Sequence, residues 1–76
     1  MTYLIRPGSP FFARQVHARA ENTWRSAADL VWARWELVRE ATAQTRAGAF
    51  AAYLAALDAE AAAAGALADV SLQQAA

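Results

Sequence analysis

The single histidine, His17, is followed one helical turn later by Glu21, so two candidate metal ligands would share one face of a helix. A closed metal site takes three or four ligands. The chain has no cysteine to supply the others and no Glu-x-x-His motif of the kind di-iron bundles use. His17 and Glu21 therefore read as an edge pair on a surface helix, and no metal or other cofactor is expected. Nucleophilic chemistry fares no better. Cysteine and lysine are absent, and Ser9, Ser26 and Ser71 suit helix caps or a terminal turn rather than a triad. Glu36 and Glu40 share a face, but it is a charged one where no burial would raise a carboxylate pKa for acid catalysis. Gly8, Gly48 and Gly65 are too scattered to form a phosphate-binding loop. We expect no catalytic residue, no small-molecule substrate and no enzyme.

The residues that stand out do so as surfaces. Arg34 falls among apolar positions between Val31 and Val38, and could pair with Glu60 or Asp58 across a hairpin or between copies. Trp32 is the reverse case, a large aromatic among Arg25, Asp29, Glu36 and Arg39, where it either stacks on guanidinium planes or anchors a partner. Phe11 and Phe12 open the first helix, and Val16 and Trp24 continue their strip. Together Phe11, Phe12, Val16, Trp24, Trp32 and Arg34 form the expected partner interface. Arg14 and Arg19 lie in an N-terminal stretch free of acids, which gives a small DNA-binding regulator as the alternative reading. Few arginines and a pI near 6.5 weigh against a broad nucleic-acid surface.

These residues need helices to place them. Ser9-Pro10 is an N-cap followed by proline at the first helical position, preceded by a short extended arm over residues 1–9 that stops at Pro7-Gly8. From there the apolar residues recur at helical spacing to Ala41, which predicts a long first helix over about 10–47. Glu21-Asn22-Thr23 is a weak helical stretch, and Ser26 to Asp29 fits a capping box, so a break near 22–26 would give a three-helix bundle instead. Gly48 is the natural point of reversal. An alanine-rich second helix follows over about 49–68, with Phe50, Leu54, Leu57, Ala61, Ala64 and Ala68 on one stripe and Gly65 weakening its end. The expected fold is thus an all-α helical hairpin, a single helical domain over 10–76, with Val31, Trp35, Val38, Phe50, Leu54 and Leu57 as its helix–helix core.

Composition argues that such a hairpin is incomplete alone. Of forty-four apolar residues twenty-three are alanine, which favours helix strongly but buries little area. No disulfide can compensate in a chain without cysteine, so association is the remaining remedy. The charges divide unevenly, seven arginines against four acids over 1–46 and three acids with no base over 47–76, which favours folding or pairing between the halves. A first helix of about 57 Å would also outrun the second, leaving Phe12, Val16 and Trp24 uncovered. All basic residues are arginine, a usage that goes with GC-rich bacterial or phage genomes. The N-terminus lacks the pattern of a signal peptide, and the uncharged run Ala47 to Leu57 is too short to span a bilayer. The sequence therefore predicts a cytoplasmic or particle-borne assembly or adaptor protein, working through contacts with itself or other protein subunits.

Overall fold

The computed structural model describes residues 10–75, and the expected arm over 1–9 lies outside them. Two antiparallel helices make the whole of this part: α1, Pro10–Glu40, and α2, Arg46–Ala75. It is an all-α helical hairpin. The three-helix alternative is not what forms, since α1 runs unbroken through residues 22–26. Its weak stretch is held in place by local bonds. Thr23 Oγ1 donates to the Arg19 carbonyl at 2.9 Å, and Arg25 pairs with Glu21 at 2.6 Å, so the stretch stays helical and Ser26 opens no new helix.

The reversal comes earlier than Gly48. α1 ends at Glu40, with Arg39 in its last turn favourably placed against the helix dipole. Thr42 and Thr45 then close the turn: the Thr45 amide donates to the Thr42 carbonyl at 3.2 Å, and Thr45 Oγ1 accepts from the Thr42 amide at 3.0 Å. The Thr45 carbonyl takes the first bond of α2 from Ala49 at 3.0 Å, which makes Thr45 the N-cap. Gly48 consequently lies in the first turn of α2, and Gly65 lies inside a helix that continues to Ala75. The expected boundaries of 10–47 and 49–68 are corrected to helices of 31 and 30 residues. Matched lengths remove the expected overhang of α1. Gln74 Nε2, near the end of α2, donates to the Ala13 carbonyl near the start of α1.

The two helices meet along seams spaced alternately three and four residues apart. On α1 the half-buried positions include His17, Ala20, Trp24, Ala27, Val31, Arg34 and Val38; on α2 they include Ala49, Tyr53, Glu60, Ala63, Leu67 and Val70, with Ala56 buried among them. That 3.5-residue period is the signature of left-handed coiled-coil packing. Alanines recur at the seam and allow a close approach of the axes. Only Ala56, 4 % exposed, is buried among the described residues.

Candidate protein-interaction face

Of the large apolar side chains that this seam does not use, Trp32, Trp35, Phe50 and Leu54 collect on one side of the hairpin, while Leu30 and Leu37 lie on the other flank of α1. At about 100° per residue, Phe50, Leu54, Leu57, Ala61, Ala64 and Ala68 form a second stripe on α2, roughly a third of a turn from the seam that packs on α1. In an antiparallel pair the corresponding flank of α1 carries Ala28, Trp32 and Trp35. The rings confirm that these flanks adjoin. Trp35 and Tyr53 stand 5.3 Å apart between ring centroids at 48°, and Phe50 and Tyr53 are 6.2 Å apart at 38°. Such tilted geometries are favourable aromatic contacts. Beside them Val31, Trp32, Trp35 and Tyr53 line an open groove.

Exposure decides what this face is. Trp32 is 68 % exposed, Phe50 46 %, Leu54 45 % and Trp35 38 %. Phe50 and Leu54, expected in the helix–helix core, are thus largely outside it, because the seam runs through the alanines and Tyr53 instead, while Trp35 packs across the hairpin on Tyr53 at the edge of that seam. Val31 and Val38 do sit half-buried in the seam, and Leu57 is half-buried at its edge. Trp32 shares its groove with apolar side chains, an arrangement suited to a partner's apolar knob.

The other expected interface residues are placed differently. Trp24 faces inward, its Nε1 donating to Glu60 Oε1 at 2.9 Å. Phe12 and Val16 are half-buried beside α2 rather than forming an uncovered strip, because α2 reaches back to their level. Phe11 is 54 % exposed at the open end of the hairpin. Within one chain the expected Arg34 pair with Glu60 or Asp58 does not form: no carboxylate among the described residues lies within ion-pair distance of Arg34. A turn centred near residue 43 sets Arg34 level with Phe50 to Leu54, about 12 Å along the helix from Glu60. Arg34 is half-buried in the seam.

His17 Nδ1 lies 3.8 Å from Glu21 Oε2, and no group of three potential metal ligands gathers among the described residues. Arg14 and Arg19 project about 140° apart round α1, so they share no basic strip. Helix α2 is long and apolar enough to cross a membrane by length and composition, and little of it is buried in the hairpin. This corrects the expectation drawn from the shorter uncharged run Ala47 to Leu57. Asp58 and Glu60, however, fall at the middle of α2.

Two contributors escaped the sequence reading. Tyr53 joins the two flanks, and the Phe50-x-x-Tyr53 spacing was its available signal. Glu60 serves Trp24 rather than Arg34, which only the register of the turn could reveal. The chain matches no protein-family model, no curated protein and no solved structure.

Proposed function

We propose that this chain is a non-enzymatic helical assembly protein, which works by packing its open face against other protein subunits. The carrying observation is a hairpin one helix thick in which, among the described residues, Ala56 alone is buried, while Trp32, Trp35, Phe50 and Leu54 lie open together. A domain normally needs two packed layers round a core, and a contiguous exposed apolar patch marks an interaction surface. Protein rather than lipid is the better covering. Asp58 and Glu60 would sit near the bilayer centre if α2 crossed a membrane, at about 3 kcal/mol each on insertion scales. This supports a protein in the cytoplasm or within an assembled particle.

The test is the solution mass across a dilution series, read by size-exclusion chromatography with light scattering. A multiple of the 8.2 kDa chain mass, or a stable complex with a distinct subunit, is the expected result. A monomer that keeps full helicity and a cooperative melt at the lowest concentration would overturn it.

A further inference from the structure

We infer that the open aromatic face is covered by a second copy of this chain, laid with its turn end over the first copy's open end. This rests on the assembly reading above and specifies the partner. Three features of the face select that occupant.

First, its area suits a dimer. Two helices of about 45 Å, spaced about 10 Å apart, present roughly 900 Å² on one side, so a paired face would bury about 1,800 Å², within the range of stable interfaces. Second, the face is asymmetric along its length. Trp32, Trp35, Phe50 and Leu54 crowd the turn half, whereas Ala61, Ala64 and Ala68 leave the other half low. A second copy rotated end for end brings Phe50 and Leu54 of each α2 over the alanines of the other, which keeps the two α2 helices evenly spaced. Turn over turn would stack bulk on bulk and hold the alanine ends apart, forfeiting contact along half the face. Third, the charges allow it. No acid or base falls between Phe50 and Ala68 on the α2 stripe, and on the adjoining flank of α1 Glu21 pairs with Arg25 at 2.6 Å and Glu36 with Arg39 at 3.2 Å, which leaves Arg14 as the charge there outside an ion pair among the described residues. A two-fold operation of this kind closes the assembly at a dimer of hairpins, a four-helix bundle.

The arrangement makes a positional statement. With the two α2 helices overlapping end to end, Leu54 of one copy lies beside Ala68 of the other. The chain has no cysteine, so introduced thiols report without background. Full-length Leu54→Cys and Ala68→Cys variants, each at an exposed position, are mixed, oxidised and resolved by mass and peptide mapping, with light scattering on the unmodified chain alongside. The expected result is a dimer whose dominant disulfide joins position 54 to position 68. Dominant 54-to-54 and 68-to-68 links, or any oligomer lacking the 54-to-68 link, would overturn this geometry while leaving assembly standing. An 8.2 kDa monomer with no cross-link would remove both.

Discussion

Trp24 and Glu60 show how one polar contact can discipline a seam made of alanine. Ala20, Ala27, Ala56 and Ala63 are interchangeable as packing surfaces, so a slip of the helices by a heptad would cost them little. The Trp24 Nε1 to Glu60 Oε1 bond has no equivalent in a slipped register, where the indole would face Tyr53 or Leu67. A single polar residue at a seam position commonly fixes register in this way. We expect Glu60→Ala to destabilise the hairpin by about 1 kcal/mol, and Glu60→Gln, which keeps a carbonyl acceptor, by less. Trp24→Phe should cost more than the bond alone, through lost ring packing. Added to Glu60→Ala, it should bring a smaller further loss than it does in the parent chain. Urea melts followed by helical circular dichroism give the coupling energy of that double-mutant cycle. A coupling near zero would mean that the contact does not set the register.

At the scale of the helices, class and hairpin order were legible in the sequence while the boundaries were not. The apolar phase through residues 13–41 favours continuity across Glu21-Asn22-Thr23 but leaves the three-helix alternative open, and α1 runs through that stretch unbroken. The turn was misplaced because glycine was weighted above threonine. Thr42 and Thr45 supply side-chain partners for the turn, and Gly48 needs none where it lies in α2. The phase of α2 was misread for a related reason. Alanine covers the whole circumference, so Phe50, Leu54 and Leu57 dominate the pattern over Tyr53 and Leu67, and Phe50 and Leu54 mark the outer stripe rather than the seam. Gly65 was read as a point of weakness, yet α2 passes through it. An added Cβ there would meet nothing within 4 Å. Gly65→Ala should therefore stabilise the protein by about 1 kcal/mol, the interior helix difference between the two residues. The gain is measured as a higher urea midpoint at fixed protein concentration. An unchanged midpoint would place the end of the stable helix before residue 65.

The whole molecule is a single layer, and this shifts the question of stability from the chain to its surroundings. Two helices with Ala56 as the buried residue cannot bury enough apolar area to offset the conformational entropy of about 66 ordered residues, which runs at 1 to 2 kcal/mol each for the backbone alone. Folding should therefore be linked to association, and the melting temperature should rise with protein concentration. The two faces of the slab can be told apart by neighbouring residues of identical type. Ala61 belongs to the aromatic side and Ala62 to the opposite side, both are exposed, and both sit in the middle of α2. Replacing either with glutamate changes helix propensity and net charge equally, so any difference between the variants reports the face and not the helix. Ala61→Glu places a carboxylate where the second layer packs. It should weaken association at least about tenfold, equivalent to roughly 1.4 kcal/mol, and abolish most of the concentration dependence of melting. Ala62→Glu should leave both close to the parent chain. Dilution series by light scattering, with thermal melts at matched concentrations, measure the two effects together. Equal loss in both variants would show that the slab is covered on both sides, as in an extended assembly. Loss confined to Ala62→Glu would move the interface to the face lined by Leu30 and Leu37.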